Sequence, residues 1–205
     1  MEALAPVIEF VARNPIPFIA AIVVIFFVLI YNNLVAKRNR IDKSLSNIDT
    51  FLQQRLDLMT NLFMNMDTAL DHEADVYAQV VKERTGFNQI KELYQTAKTT
   101  GKGLIECDKA ISQFMQGARM TFENYPELKA LDIVSDVMAE NTNMENQINA
   151  ARRQYNSNVT IYRNAIQMFP NNIVAGIFRF TDSYELYRSD EEARAAVRPT
   201  KRPRA

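Results

Sequence analysis

From Asn14 to Ala36 the chain carries no charged residue, and Ile19 to Ile30 is unbroken apolar sequence. A stretch like this must be surrounded either by a large protein core or by lipid. As a helix rising about 1.5 Å per residue it would be roughly 34 Å long, enough for a hydrocarbon core of about 30 Å. We therefore read residues 15–36 as a single transmembrane helix. Asn14 followed by Pro15 suits its start, because the asparagine can accept from free amides and a first-turn proline forfeits no intrahelical bond. A cleaved signal peptide fits poorly: Glu2 and Glu9 precede the apolar run with only Arg13, and no A-x-A-like site follows it.

Lys37, Arg38, Arg40 and Lys43 come directly after the apolar run. By the positive-inside rule this end faces the cytoplasm, which makes the chain a single-pass protein of the cytoplasmic membrane with its N-terminus outside. In the external arm, residues 1–14, Leu4, Val7, Ile8 and Val11 recur at helical spacing. A small interfacial helix and an unstructured terminus both remain open there.

Past the membrane, Ile41, Leu45, Ile48, Leu52, Leu56, Met59, Phe63 and Met66 recur every three or four residues, and the pattern runs on through Leu70, Ala74, Tyr77 and Val81. This is the period of an α-helix with one buried face. No proline or glycine intervenes between Pro17 and Gly86, so one continuous helix is expected, capped at its C-terminal end by Gly86. A second helix is expected over 88–99, a break at Gly101 and Gly103, and a third helix over 104–122. Tyr125 and Pro126 then open a fourth. Its apolar seam runs through Leu131, Val134, Met138, Met144, Ile148, Tyr155, Val159 and Tyr162 to Phe169, is interrupted at Asn141, and stops at Pro170. Only five glycines are available for turns, which argues against an all-β fold. The reading is all-α: an N-terminal transmembrane helix, then an antiparallel four-helix bundle over 37–169 with long first and last helices.

Tyr31 to Arg55, YNNLVAKRNRIDKSLSNIDTFLQQR, resembles the juxtamembrane signature of the LemA family of bacterial membrane proteins. DLMTNL from Asp57, ENYPELKA from Glu123, and ENQINAARRQYNSNVTIYRNAIQMFPNNIVAGIF from Glu145 are similar to the family's remaining blocks, in the same order. Leu45, Thr60 and the stretch from Leu131 to Asn141 depart from the family pattern. The resemblance implies an N-terminal transmembrane helix and a helical bundle, in a family without a defined molecular activity. Its members are often encoded near membrane metalloproteases.

Lysine plus arginine and aspartate plus glutamate both total 24, so no overall field draws the chain to nucleic acid. Cys107 has Leu104 and Ile111 as its helical neighbours and reads as a small buried residue rather than a reactive thiol. His72, the one histidine, lies among Asp71, Glu73 and Asp75. Neither H-E-x-x-H nor the Glu-x-x-His of carboxylate-bridged bundles is present, since Ala69 occupies the position three before His72, and the cluster reads as an exposed polar helix face. Thr100-Gly101-Lys102-Gly103 lacks the first glycine and the final hydroxyl residue of a phosphate loop and reads as a turn. No catalytic residue, metal or cofactor is assigned.

The remaining polar candidates are Asp42, Asp49, Asp57, Asn61, Arg152 and Arg153. They form either a solvated face or an interhelical polar layer that sets register. If Ile41 lies near Phe169, Asp57 faces Arg152 and Arg153, and Asp49 lies near Ile161. A further apolar segment, residues 170–188, concentrates Ile173, Val174, Ile177, Phe178 and Phe180. Its apolar part, the ten residues 171–180, is too short to span a bilayer and can either lie on the inner leaflet or pack against the bundle or a neighbouring subunit. The polar residues that bracket it favour packing by Ile177 and Phe178. Residues 189–205 read as a disordered tail, basic from Arg194 onward. The functional expectation is a non-enzymatic, membrane-anchored scaffold that forms a homo-oligomer or docks an envelope protein. The alternative is a signalling or quality-control adaptor for a membrane metalloprotease.

Overall fold

The apolar stretch and the first amphipathic repeat form one helix, since nothing in either breaks the backbone ladder. In a computed structural model, which describes residues 15–69, 74–125, 128 and 131–187, this helix is α1 (Pro15–Ala69). It is followed by α2 (Ala74–Ala97), α3 (Gly101–Asn124), α4 (Asp132–Gln167) and α5 (Asn171–Ile177). The described residues contain no strand, and the fold is all-α. The N-terminal arm, His72 with Asp71 and Glu73, and the tail 189–205 lie outside the described residues.

Two glycine expectations are corrected. Gly86 does not cap α1; it lies inside α2, where an added Cβ would meet only Phe114 Cε2 at 3.7 Å. One glycine costs a helix interior about 1 kcal/mol, too little to stop a helix that buries Val80, Phe87 and Tyr94 on one side. Gly101 and Gly103 are not themselves the break, which falls at residues 98–100, but form the first turn of α3. Thr100, in extended conformation, is the N-cap, and its Oγ1 accepts from Gly103 N at 3.0 Å. A Cβ on Gly103 would stand 2.1 Å from the Ala97 carbonyl oxygen, so this close approach of backbone to backbone requires glycine.

The chain divides into two compact units. The larger comprises Leu45–Asn156 with residues 184–187. Its helices alternate in direction: Asp49 and Phe63 of α1 meet Tyr94 and Phe87 of α2, while Glu83 and Phe87 of α2 meet Thr121 and Phe114 of α3. Ile48, Leu52, Leu56, Met59, Phe63 and Met66 are all buried, as the repeat requires.

The smaller unit comprises residues 15–44 with Ser157–Ser183. Ile30 and Leu34 of α1, Ala165 of α4, and Val174 and Ala175 of α5 form its core, with Phe27, Ile166 and Phe180 packed around them. Asn158 donates to the Arg40 carbonyl and to Ser44 Oγ, both at 3.2 Å. The expected register, with Ile41 near Phe169, is therefore corrected. The buried stripe of α1 continues back through Leu34 and Ile30, residues the sequence reading assigned wholly to the membrane, and the C-terminal end of α4 covers them.

α5 ends in a Schellman turn. Arg179 adopts a left-handed conformation (φ 55°), its amide donates to the Gly176 carbonyl at 3.4 Å, and the Phe180 amide donates to that of Ala175 at 2.9 Å. The turn sends Phe180 back onto Val174 and Ala175.

Candidate functional site

Three positions on the apolar stripes of the larger unit carry polar groups. Arg55 lies between Leu52 and Met59 on the buried face of α1, Asp108 between Leu104 and Ile111 on α3, and Asn141 at the interruption in the α4 seam. All three are buried. Such groups are tolerated only when their bonds are made inside the protein. Arg55 Nε donates to Asn141 Oδ1 at 3.0 Å and its Nη1 to Ser112 Oγ at 3.3 Å. Arg152 grips Asp108 in a fork, Nε to Oδ2 at 2.6 Å and Nη2 to Oδ1 at 2.5 Å, and donates from Nη1 to Asn149 Oδ1 at 2.9 Å. The two guanidinium groups share Ser112, which also accepts from Arg152 Nη2 at 3.5 Å.

The chain after the bundle closes over this layer. Tyr187 lies against the Arg152 guanidinium, 5.8 Å from ring centroid to Cζ, and meets the Tyr155 ring edge-on at 5.5 Å. Its backbone is held at both ends of one peptide-like pairing: Tyr187 N donates to Asn156 Oδ1 at 2.9 Å and Asn156 Nδ2 to the Tyr187 carbonyl at 2.8 Å. Tyr155 Oη donates to the Glu185 carbonyl at 2.9 Å.

Burial lowers the Arg55 guanidinium from its ordinary value, against the nearby charges of Glu145 and Asp108. Burial alone would do the same to Arg152, but its bonds to Asp108 and that carboxylate's charge hold the proton more firmly than usual. Burial pushes the Tyr187 phenol and the Cys107 thiol up, each reinforced by Asp108. Tyr94 is raised by burial and by donating to Asp49 Oδ1 at 2.6 Å. Arg55 and Arg152 direct their donors onto Asn141, Ser112, Asp108 and Asn149 within the bundle, and these fixed geometries impose a definite helix register.

Of the residues expected to form a polar layer, Arg152 and Asp49 do so, with Asp108 and Tyr94 as partners. Asp57, Asn61 and Arg153 are exposed, as is Asp42. Arg152 pairs with Asp108 of α3 and not with Asp57, because the actual register sets Asn141 of α4 against Arg55 of α1. Sequence reasoning missed Arg55, Asp108 and Ser112. The available signal was a polar or charged residue falling on an apolar stripe at helical spacing, Arg55 and Asp108 among them; the gap at Asn141 was one such signal, read only as an interruption.

The apolar segment after Pro170 is divided. Val174 is buried and Phe180 packs on the core of the smaller unit, whereas Ile173, Ile177 and Phe178 are exposed. Of the two packing partners expected for Ile177 and Phe178, the bundle or a neighbouring subunit, the first is corrected: neither residue is buried within this chain. On a helix turning 100° per residue, Val174 and Ala175 take the inward positions and leave Ile173 and Ile177 outward. Phe178 still touches the Tyr31 ring, at 4.8 Å between centroids.

Fold and site together define a class: an all-α helical bundle whose first helix opens with a stretch long and apolar enough to cross a membrane. Within that class the chain belongs to the LemA family, whose sequence model matches residues 44–199. It is similar to the protein LemA of Metamycoplasma hominis, 24% identical over 187 residues that cover 85% of this chain and 82% of that protein.

Proposed function

We propose that this LemA-family chain is a non-enzymatic scaffold, anchored in the cytoplasmic membrane with its N-terminus outside and residues 37–205 in the cytoplasm, where it self-associates or docks an envelope protein. The observation that carries this reading is that α1 is at once anchor and body. Up to Leu29 it exposes Ile19, Ile22, Val24 and Leu29, and from Ile30 onward it supplies a buried stripe. A helical stretch that is apolar all round and uncovered by the described residues calls for an apolar medium. Lys37, Arg38, Arg40 and Lys43 support the orientation. The buried arginine layer supports a structural body, since its charged groups are engaged with each other. Tethering a body to a membrane raises its local concentration and favours assembly without new contacts.

Cysteine labelling in intact cells tests the orientation. Leu4→Cys should be reached by an impermeant reagent and Lys102→Cys should not, and the native Cys107 is silent because it is fully buried. The reverse pattern overturns the orientation. Particle size in mild detergent tests self-association, and a particle of one chain at every protein concentration overturns it.

A further inference from the structure

The short helix α5 has an apolar face that none of the described residues covers. Val174 and Ala175 point into the core of the smaller unit, yet the outward side is largely apolar: beside the exposed Asn172, Ile173 is 46% exposed and Ile177 is 62% exposed. Just before it, Met168 and Phe169 are 60% and 79% exposed. A surface helix in water puts polar residues on its outward side, so a helix apolar on both sides points to a second apolar surrounding. Its position identifies that surrounding. Tyr31 stands near the end of the uncharged stretch of α1, shortly before Lys37, and its ring meets Phe178 at 4.8 Å and Phe180 at 5.6 Å. The outward apolar residues of α5 thus continue the exposed apolar surface of α1 at Val28 and Leu29. An aromatic cluster beside basic residues at the end of such a stretch is the arrangement that sits at lipid headgroups. Arg179, exposed at the end of α5, adds a cation at the same level.

We propose that α5 and the preceding Met168 and Phe169 lie in the lipid interface beside α1, inserting Phe169, Ile173, Ile177 and Phe178 among the acyl chains below the headgroups. The anchor is then a span and an interfacial helix joined through Tyr31, rather than a lone span. The partner is a lipid surface, and its chemistry is an acyl region topped by anionic headgroups. This inference rests on the reading of α1 as a membrane anchor.

The chain has no tryptophan, so single substitutions give unique reporters. Full-length Ile177→Trp, Phe178→Trp, Phe26→Trp and Lys102→Trp are each reconstituted in phosphatidylcholine–phosphatidylglycerol vesicles, with and without lipids brominated on the upper acyl chain. Ile177 and Phe178 are more than half exposed, so helical content and melting should be unchanged; if Phe178→Trp disturbs the Tyr31 contact, Ile177→Trp carries the test. The expected result is blue-shifted emission and strong bromine quenching at positions 26, 177 and 178, with none at 102. Quenching at 26 but not at 177 and 178 overturns the interfacial helix and leaves the span intact. A blue shift at 177 and 178 without quenching also overturns it, because the face is then covered by protein such as a second copy of this chain. Quenching at none of the positions overturns the span as well.

Discussion

Arg152 holds Asp108 through two parallel bonds of 2.6 and 2.5 Å and thereby ties α4 to α3 where the sequence pattern suggested a tie from α4 to α1. Asp108 is almost wholly buried and Arg152 only partly exposed, so removing the carboxylate strands a cation that water reaches poorly. Asp108→Ala should destabilise the body by about 3 kcal/mol or more. Asp57→Ala, at an exposed position, should change stability by no more than about 0.5 kcal/mol. Thermal melting followed by far-ultraviolet circular dichroism distinguishes them. Equal losses from both substitutions would contradict this pairing.

Arg55 and Asn141 should behave as a unit. Asn141→Leu leaves Arg55 Nε without its 3.0 Å acceptor inside the bundle, which should lower stability by about 1–3 kcal/mol. Replacing both, as Arg55→Met with Asn141→Leu, should recover most of that loss, since two apolar groups of similar volume need no partners. A double-mutant cycle on urea unfolding measures the coupling, and strictly additive losses would mean that the two side chains do not act together.

Two glycines should respond in opposite directions. Gly86→Ala places a methyl at ordinary contact distance from Phe114 in the interior of α2 and should stabilise by roughly 0.5–1 kcal/mol. Gly103→Ala drives a Cβ to 2.1 Å from the Ala97 carbonyl, so the turn between α2 and α3 has to open. Its melting temperature should fall while that of Gly86→Ala rises.

Alkaline pH should weaken the fold through its buried phenols. Tyr94 and Tyr187 both have raised folded values, so the unfolded chain loses these protons first. Stability is then full below the ordinary tyrosine value of about 10 and declines as pH rises above it. Tyr94→Phe should flatten that decline but cost about 1 kcal/mol at neutral pH, because the bond to Asp49 is lost. Tyr187→Phe should flatten it without loss at neutral pH, because Tyr187 Oη is buried with no hydrogen-bond partner among the described residues. Urea midpoints at neutral pH and at pH 11 check both, and unchanged alkaline sensitivity in the two variants would point to other groups.

The sequence by itself determined the all-α class, the apolar stretch and the buried stripe as far as Met66, because these follow from local periodicity; the end of α1 at Ala69 and the start of α2 at Ala74 did not. Ile48, Leu52, Leu56 and Met59 are buried where a period of 3.6 places them. Glycine was less readable. Gly86 and Gly103 look alike in the chain, yet one is an ordinary helix residue and the other is required by a backbone contact, and only the path of the neighbouring turn separates them.

Register was decided by tertiary structure alone. Sliding α4 along α1 leaves every stripe apolar, so periodicity cannot choose among the settings. The polar groups can, because a buried guanidinium is stable only where its fixed donors meet acceptors. That condition sets Arg55 against Asn141 and Arg152 against Asp108, leaves Asp57 and Arg153 at the surface, and brings the end of α4 alongside Ile30 and Leu34. The outward turn of Ile173 and Ile177 has the same origin: α5 carries apolar residues on more than one side, and only its seat on Ala165 and Leu34 determined which of them face away from the protein.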